Sequence, residues 1–244
     1  MRQIRSALDI KSLGTIMGIW AHPDDETFTS AGIMATAVAN GQKVICLTAT
    51  KGEAGVQDEK RWPKDKLGNI REKELETALK IIGVKEHRWL SYKDGCCFEV
   101  DTDEAVGCIC DYIEEFKPDT ILTFGPEGMT GHPDHQTMCT WASLACKRLE
   151  KAPAIFYAVP THHQYKQALK RIDDKLNIFF NVRKPHLVVD KDCDILFELD
   201  DQRRDIKFRA LEAMPSQYQT FVENFSRDEI CQALSPEAFV IAKK

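Results

Sequence analysis

Short apolar runs alternate with helix-like segments through the first two-thirds of this 244-residue chain, and this alternation limits the fold more than any other feature. Four runs have the length and composition of buried strands: residues 15–20, 44–49, 87–90 and 120–124. The segments that follow them have helical patterns: residues 28–38, 70–82, 105–116 and 133–150. This order favours a mostly parallel sheet with helices on both faces, so the sequence predicts an α/β fold.

The last third of the chain is less regular. Its predicted elements are strands at residues 154–158, 187–189 and 239–241 and a helix at residues 201–213. Earlier in the chain, the polar segment from Lys51 to Gly68 is long for a connection inside one domain, which indicates a functional or mobile loop. No shift in composition marks a boundary. We therefore predict one domain over residues 1–244, with a motif-bearing core at about 14–150 and a substrate-shaping part at 151–244.

Composition narrows the partners that such a domain could have. The formal net charge is −5 and no long basic block occurs, so nothing indicates nucleic-acid binding. Nine cysteines without a Cys-x-x-Cys pair favour reduced, packed thiols and a cytoplasmic location. The chain has neither an 18-residue apolar run nor the N-terminal apolar stretch of a signal peptide, so we expect no membrane span. The oligomeric state stays open, a homo-oligomer included.

A turn rich in metal-binding side chains follows the first predicted strand. It reads His22-Pro23-Asp24-Asp25-Glu26, and Pro23 ends the strand because proline cannot continue the ladder of hydrogen bonds. His22 and Asp25 lie three residues apart across this turn, so both can reach one ion. Asp24 lies between them and cannot easily point the same way. A carboxylate is therefore left free beside the metal, as a metal-dependent hydrolase requires.

A second cluster, Gly131-His132-Pro133-Asp134-His135, follows the fourth predicted strand. Ligands of open α/β sheets collect at the carboxyl ends of the strands where the winding reverses, so the two clusters can meet there. We predict that His22, Asp25 and His135 bind one divalent ion. Two imidazoles and one carboxylate suit Zn²⁺, and Fe²⁺ would accept the same set.

The remaining residues of the two clusters have predicted catalytic roles. Asp24 would act as general base, His132 would stabilise the developing oxyanion, and Asp134 would orient a histidine. Each residue taken alone has an ordinary structural explanation, because histidines and acids are common in turns and at helix starts. Two such clusters at two strand ends together favour a metal-dependent hydrolase.

The two motifs resemble those of the LmbE-like, or PIG-L, family of zinc-dependent N-acetylglucosaminyl de-N-acetylases. The resemblance implies a Rossmann-like fold and removal of acetyl groups from N-acetylglucosamine-type substrates. It also places the family's metal ligands on His22, Asp25 and His135, its base on Asp24, and its oxyanion histidine on His132.

Weaker matches suggest substrate contacts. Arg71 resembles the family's sugar-binding arginine and Asp94 its substrate turn, while Glu53, in a loop like the family's loop after strand two, is a further candidate. The chain departs from the family where Met214 occupies the position of a histidine that many members carry.

The sequence therefore leads to one main hypothesis and two alternatives. The main hypothesis is a zinc-dependent hydrolase that removes an acetyl group from an N-acetylated amino sugar or its conjugate. One alternative is a non-catalytic Rossmann-like module that binds a sugar or nucleotide, although no Gly-x-Gly-x-x-Gly follows the first strand. The other is an amidase for a different amide, such as an antibiotic or a thiol-sugar conjugate.

Overall fold

A seven-stranded sheet organises residues 3–243, the part of the chain that the structure, a computed structural model, describes. Its strands are β1 (Ile16–Trp20), β2 (Val44–Thr50), β3 (Glu86–Tyr92), β4 (Thr120–Phe124), β5 (Ala154–Ala158), β6 (Ile195–Phe197) and β7 (Glu237–Ile241). Their order across the sheet is β3-β2-β1-β4-β5-β7-β6. The first five strands are parallel, and β7 runs antiparallel to both of its neighbours. The predicted α/β fold with a mostly parallel sheet is confirmed.

Helices connect the strands and cover the sheet. They are α1 (Asp25–Ala39), α2 (Lys64–Ile82), α3 (Thr102–Phe116), α4 (Pro133–Arg148), α5 (His162–Gln164), α6 (Lys170–Leu176), α7 (Asp201–Glu212), α8 (Pro215–Asn224) and α9 (Arg227–Ala233). A π-helical turn, Tyr165–Leu169, joins α5 to α6, and 3₁₀ turns occur at Asp9–Leu13, Cys97–Glu99 and Asp190–Asp192. Over residues 3–243, no helix has both the length and the hydropathy needed to cross a bilayer.

The helices form two layers around the sheet. Right-handed crossovers place α1 and α2 on one face, and the reversal after β3 places α3 and α4 on the other. The contacts agree, since α1, α2 and α7 pack on one another and α3 packs on α4. Every residue of β1, β2 and β4 is buried, as expected for central strands that are covered on both faces.

The winding of the sheet reverses between β1 and β4. The chain proceeds outward from β1 through β2 to β3, then returns and places β4 on the other side of β1. Ile16 pairs with Thr120 and Gly18 with Leu122, so the two strands run parallel in register. Their carboxyl ends therefore lie side by side, which is the arrangement expected of a ligand site in an open α/β sheet.

Several predicted element boundaries differ from the structure. The loop predicted up to Gly68 ends at Pro63, because α2 starts at Lys64 and runs through this glycine. The strand predicted at residues 187–189 is wrong: Val188 makes only an isolated bridge with Thr161, and the edge strand is β6. A three-residue strand such as β6 is too short to produce a clear alternating pattern. Helices α5, α6, α8 and α9 were not predicted.

A buried ion pair fixes helix α1 to the C-terminal part of the chain. The carboxylate of Glu237 on β7 accepts the backbone N–H groups of Gly32 and Ile33 at 2.8 and 2.7 Å. Lys207 on α7 donates to this carboxylate at 2.8 Å and to the carbonyl oxygen of Phe28 at 2.7 Å. Glu237 and Lys207 are 2% and 3% exposed, so each charge depends on the other.

We expect the Lys207→Met protein to lose about 3 kcal/mol of its free energy of unfolding, because the carboxylate of Glu237 is left buried without its counterion. Urea denaturation measures the change. Arg209→Met, on the same helix, is the matched control: this arginine is 56% exposed and pairs with Asp205 at 3.6 Å. Its removal should cost less than about 1 kcal/mol. Equal losses in the two variants would contradict this view of the buried pair.

Candidate metal centre

The turn between β1 and α1 brings His22 and Asp25 together. Both residues are buried, with 8% and 7% exposure. The Oδ2 atom of Asp25 accepts the backbone N–H groups of Ala21 at 3.1 Å and His22 at 2.8 Å. These bonds fold the carboxylate back over the turn. Its other oxygen, Oδ1, lies 3.3 Å from Nε2 of His135.

The loop between β4 and α4 supplies His135. Pro133 occupies the first turn of α4, where its missing N–H costs nothing, and His135 follows in the same turn. The imidazole stacks on the ring of Phe124 with centroids 3.9 Å apart. Its Nδ1 lies 3.0 Å from the carbonyl oxygen of Gly128. A carbonyl can only accept, so Nδ1 carries the proton and Nε2 presents a lone pair towards Asp25.

The tautomer of His22 is fixed in the same way. Its Nε2 lies 3.0 Å from Oδ1 of Asp94 and 3.4 Å from Oδ2 of Asp134. Backbone N–H groups of Gly95 and Cys97 hold the Asp134 carboxylate at 2.7 and 3.1 Å. Two carboxylates therefore accept from Nε2, so in the neutral ring Nδ1 of His22 keeps its lone pair. Carboxylates placed behind histidines in this way are typical of metal sites.

The free donor atoms have the spacing of a metal-ligand set. Nε2 of His135 lies 3.2 Å from Nδ1 of His22 and 3.3 Å from Oδ1 of Asp25. Ligands 2.0–2.1 Å from a tetrahedral zinc ion are separated by about 3.3 Å. Two imidazole nitrogens and one carboxylate oxygen therefore fit a zinc ion with one position left open, and Fe²⁺ accepts the same donors.

Asp24 is held beside this donor set by its backbone and its side chain. It has φ 108°, a region that non-glycine residues seldom occupy. Glu26 accepts the backbone N–H of Asp24 at 3.1 Å, and Arg71 donates to its Oδ2 at 3.1 Å. The Asp24 side chain stays 21% exposed. The turn therefore holds Asp24 in a strained backbone conformation that directs its carboxylate into the open space above the donors.

His132 lies on the other side of the donor set. Its Nδ1 accepts the backbone N–H of Asp134 at 3.2 Å, so in the neutral ring the proton is on Nε2. Its ring meets that of His22 edge to face, with centroids 4.7 Å apart. His22, His132 and His135 each place a ring nitrogen within 4.8 Å of the other two. His132 can therefore offer an N–H donor to a group bound between them.

Burial and close charges shift the pKa values of these groups. Burial raises the pKa of Asp24 to about 7, against the opposing effect of the Arg71 guanidinium. Burial lowers the pKa of His132 to about 4. For Asp94, burial is outweighed by the hydrogen bond from His22, and its pKa falls to about 2. Perturbed groups of this kind cluster at functional sites more often than elsewhere.

A cavity of about 790 Å³ opens above the donor atoms. Its floor, as we use the term here, consists of His22, Asp24, Asp25, Arg71, Asp94, His132 and His135. The walls include Tyr218 on α8 and residues 175–180 at the end of α6 and just beyond it. These residues lie in the predicted substrate-shaping part of the chain, but none of them was predicted individually. An aromatic residue in an amphipathic helix does not by itself indicate a ligand site, since such residues usually pack in the hydrophobic core.

Of the three residues predicted to bind substrate, two line the cavity and one does not. Arg71 and Asp94 line the cavity, yet both already bind protein groups: Arg71 donates to Pro23 and Gly52 carbonyls at 2.5 and 2.7 Å. Glu53 does not line the cavity, because its carboxylate turns back to accept the N–H of Asp94 at 3.0 Å. Met214 is 1% exposed and packs in the core.

Comparisons with known proteins assign the chain to a family. The family described as GlcNAc-PI de-N-acetylase (PIG-L) matches residues 17–147. A 1D-myo-inositol 2-acetamido-2-deoxy-α-D-glucopyranoside deacetylase of Saccharomonospora viridis is 30% identical, covering 92% of this chain and 94% of that protein.

Two solved structures show the same fold at lower identity. The N,N'-diacetylchitobiose deacetylase from Pyrococcus horikoshii has a TM-score of 0.62 at 20% identity, covering 96% of this chain and 85% of that chain. GalB, the 4-carboxy-2-hydroxymuconate hydratase of Pseudomonas putida, has a TM-score of 0.61 at 17% identity, covering 93% and 95%. Since the fold also carries a hydratase, the fold alone does not decide the activity.

We expect the chain to bind one equivalent of zinc, and His135→Ala to lose it, because one of three ligands is removed. Asp134→Asn should weaken zinc binding by about 10- to 100-fold, since the carboxylate behind His22 is lost. Elemental analysis after dialysis and calorimetric titration give the two quantities, with circular dichroism to confirm folding. His163→Ala changes an exposed histidine outside the cavity and should retain the full equivalent. Retention of zinc by folded His135→Ala would refute this ligand assignment.

Proposed function

The chain belongs to the PIG-L family of GlcNAc-PI de-N-acetylases, and from this membership we propose that it hydrolyses the acetamide group of an N-acetylated amino sugar or its conjugate. The deacetylase names of its relatives support the reaction type. One observation carries the proposal to this chain: Nε2 of His135 lies 3.2 Å from Nδ1 of His22 and 3.3 Å from Oδ1 of Asp25. Beside these atoms, the Asp24 carboxylate pairs with Arg71.

We propose zinc as the metal, held by Nδ1 of His22, the Asp25 carboxylate and Nε2 of His135. When bound, zinc would polarise the acetamide carbonyl and lower the pKa of a bound water to about 7. The protein groups around it fix the neutral tautomers of both imidazoles in advance, since their other nitrogens donate to carboxylates and to the carbonyl of Gly128.

Asp24 is the proposed general base. Its carboxylate accepts a proton as the water oxygen bonds to the acyl carbon, and it returns that proton to the nitrogen as the carbon–nitrogen bond breaks. The products are acetic acid, which ionises to acetate by releasing its proton to solvent, and the free amine, so atoms and protons balance. The hydrogen bond from Arg71 at 3.1 Å keeps the carboxylate turned to the cavity.

His132 is the proposed oxyanion donor. Its Nε2–H can bond the acetamide oxygen as negative charge develops there. Asp134 orients both histidines, because its backbone N–H donates to Nδ1 of His132 and its carboxylate accepts from Nε2 of His22. Asp134 is fully buried, so we assign it a positioning role and no contact with substrate.

We also propose a small-molecule substrate and a reducing, cytoplasmic location. The cavity volume of about 790 Å³ lies within the usual range for small-molecule sites. All nine cysteines are free thiols in the structure, which is the state expected in a reducing compartment.

Asp24→Asn should lower kcat by about 10²- to 10⁴-fold, because an amide cannot accept the proton. Free-amine detection with N-acetylglucosamine glycosides measures the loss, and zinc content should stay at the wild-type level. Asp111→Asn, the same change at an exposed position on α3, is the matched control and should leave kcat unchanged. Full activity in folded Asp24→Asn would remove the base assignment.

Arg71→Lys tests whether this arginine positions Asp24 or binds sugar. A lysine cannot reproduce the planar fork that joins Pro23, Gly52 and Asp24. If Arg71 acts through Asp24, kcat should fall by about 10- to 100-fold while KM changes less than about threefold. A raised KM with an unchanged kcat would favour the direct sugar contact. Arg61→Lys, at an arginine with a 54% exposed side chain, is the control.

A further inference from the structure

The cavity above the candidate metal centre has two chemically different parts. Its floor carries almost all of the charged groups, whereas the side towards α6 and α8 is apolar. We call this second part the outer wall and define it as Leu176, Ile178, Phe179, Phe180 and Phe221. Both parts line one continuous space, so a substrate whose acetamide lies on the floor can extend towards the outer wall.

Contacts within the protein hold the outer wall in place without a ligand. Asn177 ends α6 in the left-handed conformation, with φ 52°, and turns the chain back across the cavity. Asp173 fixes this turn, because it accepts the backbone N–H of Phe179 at 3.2 Å and the hydroxyl of Tyr165 at 2.7 Å. Phe179 is 3% exposed and packs on the ring of Tyr165 with centroids 6.0 Å apart.

Phe180 is left uncovered at the mouth of the cavity. It is 66% exposed, one of four large hydrophobic residues among residues 3–243 that stand out from the surface, and it alone of these lines the cavity. An exposed aromatic ring continuous with an apolar wall gains free energy when an apolar group covers it. The mouth is therefore suited to an apolar ligand group.

Two of the polar side chains that line the cavity near α8 already have hydrogen-bond partners in the protein. Gln217 donates to the carbonyl oxygen of Gly55 at 3.1 Å, and Thr220 donates to Gln57 at 3.4 Å. Beyond the floor, Lys175 is the one charged side chain among the described residues that line the cavity. A polyol placed against the outer wall would face apolar side chains and would gain little over its hydration in water.

We propose that the substrate is an amino-sugar glycoside with an apolar aglycone, which the outer wall covers while the floor holds the acetamide. This inference rests on the proposed function and adds its substrate class. It distinguishes the chain from relatives whose names specify an inositol glycoside, since the inositol ring is a polyol.

Three N-acetylglucosamine α-glycosides test the proposal on the zinc-loaded wild-type protein: the methyl, the phenyl and the 1D-myo-inositol glycoside. We expect kcat/KM for the phenyl glycoside to exceed that for the methyl glycoside by about tenfold or more, through a lower KM, which corresponds to about 1.4 kcal/mol. The inositol glycoside should stay within about threefold of the methyl glycoside. Equal rates for phenyl and methyl, or a preference for inositol, would overturn the proposal while leaving the proposed function intact. No hydrolysis of any glycoside would overturn the proposed function, and this inference with it.

Variants then assign the preference to the outer wall. Phe180→Ser should reduce kcat/KM for the phenyl glycoside about fivefold more than for the methyl glycoside, because the covered ring is removed. Phe98→Ser makes the same change at a phenylalanine that is 61% exposed and lies outside the cavity, and it should leave the ratio unchanged. An undiminished phenyl preference in Phe180→Ser would show that the outer wall does not select the aglycone.

Discussion

The parallel pairing of β1 with β4 is the constraint on which the rest of the site depends. Ile16 and Thr120 lie in register although about 100 residues separate them, and the two strands end at the same edge of the sheet. Without this pairing, His22 and His135 would belong to unrelated turns. With it, their ring nitrogens lie 3.2 Å apart. Buried strands hold this geometry more rigidly than loops could, which a ligand set with little tolerance in distance requires.

Backbone groups and carboxylates around the donor atoms contribute as much to the metal site as the donor atoms themselves, because they hold those atoms in place. Asp25 accepts two backbone N–H groups of its own turn, and Asp134 accepts two from the neighbouring loop. Each of these bonds removes a rotation or a tautomer that would otherwise compete with metal binding. The strained backbone of Asp24, with φ 108°, belongs to the same arrangement, because it keeps one carboxylate out of the ligand set.

Local sequence patterns predicted some elements of the fold and did not predict others. Strands β1, β2 and β4 were predicted almost to the residue, because a covered parallel strand requires an unbroken apolar run between turn-forming residues. Strand β6 and helices α8 and α9 were not, since each is short and takes its stability from neighbours distant in sequence. The placement of Glu53 was also missed, because the direction of a loop carboxylate depends on the turn that presents it.

The sequence alone determined the alternating α/β order, the two motifs at strand ends and the residue types able to bind a metal, because all of these follow from local periodicity and spacing. Tertiary structure alone decided which nitrogen of each histidine is free, that Arg71 holds Asp24, and that an apolar wall from α6 and α8 stands over a charged floor. Apart from the bond between His135 and the carbonyl of Gly128, these depend on contacts between segments more than 40 residues apart in the chain, and no local pattern records them.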